Sequence, residues 1–144
     1  MKKVARRCLS LLLAVTLVIT AIQYVPSEAA DATYTSGDYE YTLNEDNEAT
    51  ITKYNGSAAN LTIPDTLGGN AVVGIGNSVF KDRKTLLSVK IPDTVTSIGS
   101  RAFAYTSLTS LDLPSQLKSI GSFMLDGVKG VTKITIPKSV ETME

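Results

Sequence analysis

Apolar and polar positions between Leu86 and Leu125 follow one pattern written twice. Leu86, Val89, Ile91, Pro92, Val95, Ile98, Gly99 and Phe103 return as Leu108, Leu111, Leu113, Pro114, Leu117, Ile120, Gly121 and Leu125, each 22 residues on. A fixed period of this size is the mark of a stacked repeat architecture. An earlier copy runs through Leu61, Ile63, Pro64, Val72, Ile75, Gly76 and Phe80. It carries five extra residues somewhere in Thr66 to Asn70, where Gly68-Gly69-Asn70 signals a lengthened loop. A later copy starts at Val131 and continues through Ile134, Ile136, Pro137, Val140 and Met143. The repeats thus occupy residues 58–144 as about three and a half units, the last incomplete.

Each unit predicts the same local structure. Val89-Lys90-Ile91 and its equivalents alternate apolar and polar, the signature of a short strand with one face inward. Pro64, Pro92, Pro114 and Pro137 end these strands, because proline has no N–H for a ladder. Val95 to Ile98 and Leu117 to Ile120 suit a second short extended segment. Gly76, Gly99 and Gly121 then predict a sharp turn of the backbone. Asn77, Ser100 and Ser122 are good N-caps and predict short helical turns that aim Phe80, Phe103 and Leu125 inward. One unit alone buries too few aliphatic side chains to offset the entropy of ordering it, so each needs its neighbours.

The stretch before the repeats is different. Tyr39, Tyr41 and Leu43 alternate with Glu40 and Thr42, and Ala49, Ile51 and Lys53 alternate with Thr50 and Thr52. Asn44 to Glu48 between them is rich in turn formers, so residues 39–57 read as a β-hairpin cap on the first repeat. Residues 30–38 read as a flexible lead-in. Residues 1–29 read as a signal peptide: Lys2, Lys3, Arg6 and Arg7 precede the apolar run Leu9 to Ile22, and Ser27-Glu28-Ala29 offers cleavage after Ala29. Removal of this segment leaves no membrane span, ten Lys/Arg and thirteen Asp/Glu, a net charge of −3. A mildly acidic chain without a basic cluster argues against nucleic acid as a partner.

The phrase IPDTVTSIGSRAF at 91–103, preceded by LLSVK, resembles the BspA-like leucine-rich repeats of bacterial surface proteins. The stretch TKYNGSAANLTIPDTLGGNAVVGIGNSVF at 52–80 resembles that family's entry into its array. The resemblance covers residues 39–144. It implies a right-handed leucine-rich-repeat solenoid with short parallel β-strands on the concave side. It also implies export to the cell surface and a role in adhesion or in binding host or matrix proteins. Leu125 stands where that family prefers Phe.

Candidate chemistry is sparse. The chain has no histidine, and its single cysteine, Cys8, leaves with the signal peptide. The side chains most used as base, thiol nucleophile and zinc ligand are therefore missing, so neither an enzyme nor a cofactor nor a metal site is expected. Glu45-Asp46-Asn47-Glu48 reads as a solvated turn. The binding candidates are the outward positions of the first strand in each unit. Asn60, Ser88, Ser110 and Lys133 form one column; Thr62, Lys90, Asp112 and Thr135 form another. Ser88, Lys90, Ser110, Asp112, Lys133 and Thr135 are the expected ligand-binding residues. Tyr105 is either an exposed contact residue or a packing residue against the next unit. The sequence points to a secreted or cell-surface binding module for a protein or glycan of host, matrix or cell wall. A structural or accessory role, by edge-to-edge association through the unit at 131–144, is the alternative.

Overall fold

The computed structural model describes residues 32–144; the expected signal peptide lies outside the described residues. Ten short strands follow one another. They are β1 (Tyr34–Ser36), β2 (Tyr39–Leu43), β3 (Ala49–Tyr54), β4 (Asn60–Thr62), β5 (Thr66–Leu67), β6 (Asn70–Ile75), β7 (Ser88–Lys90), β8 (Ser97–Ile98), β9 (Ser119–Ile120) and β10 (Thr142–Met143). The main sheet has eight strands in the order β1-β2-β3-β6-β8-β9-β10, with β5 pairing β6 off that path. Its first pairs are antiparallel. From β3 onward, along that path, every pair is parallel. The chain therefore winds as a β-solenoid of about four turns, and the alternating segment at 39–54 forms its opening hairpin. Part of the stretch read as a flexible lead-in, Tyr34–Ser36, is strand β1, in register against Tyr39–Tyr41.

The core follows the 22-residue pattern. Ile51, Ile75, Ile98 and Ile120 are buried behind the main sheet. Leu61 and Val89 are buried behind β4 and β7, Leu111 is buried at the same position of the next turn, and Val72, Val95 and Leu117 are fully buried as well. Phe80 and Phe103 are fully buried, and half-buried Leu125 packs against the same core. The extra residues of the first repeat do more than lengthen a loop. They form an antiparallel pair, Thr66 opposite Ala71 and Leu67 opposite Asn70, with Gly68 and Gly69 at positive φ in the turn. That pair buries Leu67.

Two local expectations are corrected. No helix forms where Asn77, Ser100 and Ser122 were read as N-caps; hydrogen-bonded turns fill these segments. The amides explain why. Ser78, Phe80 and Asp82 donate to the carbonyls of Ser100, Ala102 and Ala104 on the next turn, and Arg101, Phe103 and Tyr105 donate to Ser122, Met124 and Asp126. N–H groups spent between turns are not available for the i to i−4 bonds of a helix. The geometry requires positive φ twice per turn, at Ser78 and Asp82, at Arg101 and Tyr105, and at Phe123 and Gly127. Asn77 caps a neighbour instead of a helix: its Oδ1 accepts from the Ser100 N–H at 2.8 Å.

The second correction concerns Gly76, Gly99 and Gly121, which have no positive φ. Space, not turning, selects them. A Cβ on Gly99 would sit 2.5 Å from Asn77 Oδ1 and 2.7 Å from the Gly76 carbonyl carbon. One on Gly121 would sit 2.7 Å from the Gly99 carbonyl carbon. Turns stack backbone on backbone along this column.

Candidate functional site

The outer face of the main sheet carries one row of small side chains. Thr50, Gly74, Ser97, Ser119 and Thr142 are partners in register from strand to strand. Strand alternation turns their neighbours Ile51, Ile75, Ile98 and Ile120 into the core, and so turns this row outward. A groove of about 290 Å³ follows the row, lined by Thr50, Ser97, Ser119 and Thr142, by Ile75, Ile98 and Ile120 beside them, by Gly76, Asn77, Gly99, Ser100 and Gly121, and by Glu144 of the last turn.

Polar groups in the groove differ in how they are used. Thr96 Oγ1 donates to the Val73 carbonyl and Ser139 Oγ to the Leu117 carbonyl, so hydroxyls just outside the row are spent on the frame. The hydroxyls of Thr50, Ser97, Ser119 and Thr142 have no protein partner among the described residues. Asn77 is fixed through its Oδ1, which leaves its NH₂ to donate. Glu144 is the one ionised side chain of the lining. Among the described residues no group of three or more His, Cys, Asp or Glu is placed to hold a metal ion.

The residues expected from sequence stand on another face. Asn60 pairs with Ser88 and Thr62 with Lys90 in the parallel β4–β7 sheet. Ser110, Asp112, Lys133 and Thr135 are exposed, but among the described residues no strand continues the ladder beyond Lys90. The Ser88 hydroxyl is already engaged, donating to Asn60 Oδ1 at 2.7 Å. The columns therefore begin as a ladder and go on as separate exposed positions. The groove's own residues had a signal in the sequence: Ser97 and Ser119 recur at the repeat period, just before Ile98 and Ile120. Reading that segment as a second extended stretch located it without identifying its outward row.

Tyr105 is both things at once: exposed on one side and packed on the next turn with the other. Its ring covers Gly127, where a Cβ would collide with it, and its hydroxyl donates to Asp126 Oδ2 at 2.8 Å. That bond to a carboxylate raises the phenol above its ordinary value. Lys84 Nζ donates to the Tyr105 carbonyl at 2.7 Å. Phe123 is the more exposed aromatic, 64% accessible, with the Arg101 guanidinium 5.0 Å from its ring centroid. It lies two residues beyond Gly121 of the groove, and Arg101 lies one beyond Ser100.

No helix of the described residues is long and apolar enough to cross a membrane. Among curated proteins no significant match is found. Among solved structures, a leucine-rich repeat protein from Bacteroides capillosus ATCC 29799 is 31% identical, with a TM-score of 0.67, over 78% of this chain and 87% of that one. A leucine rich cell surface protein from Faecalibacterium prausnitzii A2-165 is 42% identical, with a TM-score of 0.53, over 66% of this chain. The match spans 28% of that longer chain. A leucine-rich repeat protein of T. pallidum, 20% identical with a TM-score of 0.60, shares the fold. The family model for a BspA type leucine-rich repeat region (6 copies) matches residues 52–144. Repeat pattern, parallel solenoid and sequence match agree: the chain belongs to the BspA-type leucine-rich repeat family.

Proposed function

We propose that this chain is an exported, cell-surface binding module that recognises a protein or glycan and performs no catalysis. The observation that carries this reading is the groove across successive turns of the main sheet, lined by hydroxyls that the fold itself does not use. A continuous row on stacked repeats is a surface that repeat proteins commonly use for binding. The absence of histidine from the chain agrees with a role without acid–base chemistry near neutral pH. The surface location draws on the apolar run Leu9 to Ile22 and on the similar F. prausnitzii cell surface protein.

In this reading residues 1–29 direct export, the hairpin at 39–57 covers the first turn, and 58–144 present the binding surface. The exposed columns of Ser88, Lys90, Ser110, Asp112, Lys133 and Thr135 form a second contact face. Surface plasmon resonance of the exported protein over immobilised matrix glycoproteins and cell-wall glycans tests the role. Saturable binding is expected, and none on any surface overturns it. Mass spectrometry of the exported protein tests the location. A first residue of Ala30 is expected, and a chain retaining Leu9 to Ile22 contradicts export by cleavage.

A further inference from the structure

We propose that the groove takes a neutral, extended oligosaccharide, laid across successive turns with Phe123 stacking on one sugar at the rim. The proposal rests on the binding-module reading and names the ligand class of the same site.

Chemistry comes first. Four free hydroxyls, from Thr50, Ser97, Ser119 and Thr142, each donate and accept, and Asn77 adds a donating NH₂. A polyhydroxylated chain is the partner that needs both functions at every step. Glu144 is the single charge of the lining, and Lys and Arg are missing from it. Anionic glycans and nucleic acid would meet no countercharge there.

Spacing comes second. Parallel strands stand about 4.7–4.9 Å apart, so the row offers one polar position per rung at that interval. One pyranose ring with its glycosidic link advances by about one rung. An extended polypeptide lying along the row shows its side chains on one face every two residues, about 6.6–6.8 Å, and falls out of step. Gly74 leaves one rung without a side chain, and two hydroxyls lean over it. A Cβ there would lie 2.7 Å from Thr50 Oγ1 and 3.0 Å from Ser97 Oγ. The two hydroxyls close over this buried glycine, which stays out of the lining.

The rim comes third, and independently. Phe123 is held at positive φ beside the guanidinium of Arg101, and most of its ring surface is open. Nothing in the core requires an aromatic there. Phe123 follows Gly121 of the lining by two residues, and an open ring so placed would supply the apolar platform on which the C–H face of a sugar rests.

Isothermal titration calorimetry of the full exported protein tests the proposal, with cello- and chito-oligosaccharides of increasing length as probes. Affinity is expected to rise with each added ring until the rungs are covered, then level off. Ser97→Ala with Ser119→Ala should weaken binding by about tenfold, the net worth of two hydrogen bonds. Phe123→Ala should weaken it as well. Ser97→Thr, which keeps the hydroxyl, should weaken it less than Ser97→Ala, and Lys129→Ala, exposed and outside the lining, should leave it unchanged. Thermal melts of each variant confirm that the fold is intact. No saturation with either sugar series, or equal affinity in parent and groove variants, overturns the proposal. Binding of an unstructured peptide that is lost in the same groove variants overturns the sugar and keeps the binding module. Failure with sugars, peptides and matrix glycoproteins alike overturns both.

Discussion

Phe80 and Phe103 lie face to face across two turns, ring centroids 5.2 Å apart and planes 1° from parallel. The stack continues upward. Phe80 meets Tyr54 at 5.4 Å, and Tyr54 meets Tyr39 at 5.1 Å. One aromatic column thus runs from the opening hairpin into the repeats, and half-buried Leu125 follows it on the next turn. Removal of a middle ring should cost most, because both faces of it are packed. Phe80→Ala is expected to lower stability by about 3–5 kcal/mol, and Phe80→Leu by distinctly less. Urea denaturation of the two variants checks this.

Arg83 joins the hairpin to the first turn from the side. Its Nη1 donates to the Gly56 carbonyl at 3.0 Å, its Nη2 donates to the Tyr54 carbonyl, and its guanidinium lies 5.5 Å from the centre of the Tyr54 ring. Loss of these charge-assisted bonds should cost about 1.5–3 kcal/mol in Arg83→Ala. Arg83→Lys should recover only part, since an ammonium cannot form the planar fork that reaches both carbonyls. Hydrogen exchange of the Ala49–Tyr54 amides distinguishes a loosened hairpin from global loss: these amides should be deprotected first.

The repeat residues make the fold legible in the sequence. Ile98 and Ile120, or Leu86 and Leu108, recur because every turn must present the same inward set to its neighbours. Outward residues face no such rule, so a column such as Lys90, Asp112 and Thr135 could be aligned but not ranked by sequence alone. Nor could the period show which of two strand rows lines a groove, because that depends on how closely the turns stack. The helical turns expected after Asn77 and Ser100 failed for a related reason. N-cap residues satisfy free amides, and here the free amides belong to the next turn. Gly99 was read by its freedom to turn when its real asset was the missing Cβ.

Tyr39 carries a pH dependence. Burial, and then the neighbouring Tyr54 and Asp38, push its phenol up to about 12 from 10.0. The folded state favours the neutral ring, so its contribution is fully present below the unfolded value and is lost as pH rises through about 10 to 12. Alkaline unfolding followed by circular dichroism should therefore set in across this window, with tyrosinate absorbance rising in the same step. Tyr39→Phe keeps the ring in the column and removes the ionisation. Its alkaline transition should move to higher pH.

Glu40 acts at the opposite end of the scale. Hydrogen bonds from Asn55 Nδ2 at 2.9 Å and Lys53 Nζ at 3.1 Å hold its carboxyl below the ordinary value. Its contribution is present above the unfolded value and fades as pH falls through the lowered folded one. In Glu40→Gln the acid limb of the stability curve should be flatter. The effect should shrink in high salt, because the site is exposed.

Gly99 and Gly121 bind fold and groove together. Each sits where consecutive turns touch backbone to backbone, and neither needs an unusual φ. An alanine at either position must push two turns apart or bend one of them, a form of overpacking that costs about 1–3 kcal/mol. Gly37 is the control: its φ is +56° but nothing lies within 4 Å of a Cβ there. Gly37→Ala should cost only the left-handed penalty of about 1–2 kcal/mol, with no change of spacing. Thermal melts give the costs, and a crystal structure of Gly99→Ala gives the displacement. The widened spacing should show between Asn77 and Ser100, with their 2.8 Å hydrogen bond lengthened or broken. Because Asn77, Gly99 and Ser100 all line the groove, the same variant should also alter any binding there. Gly37→Ala, in the turn between Ser36 and Tyr39, should leave that binding as it is.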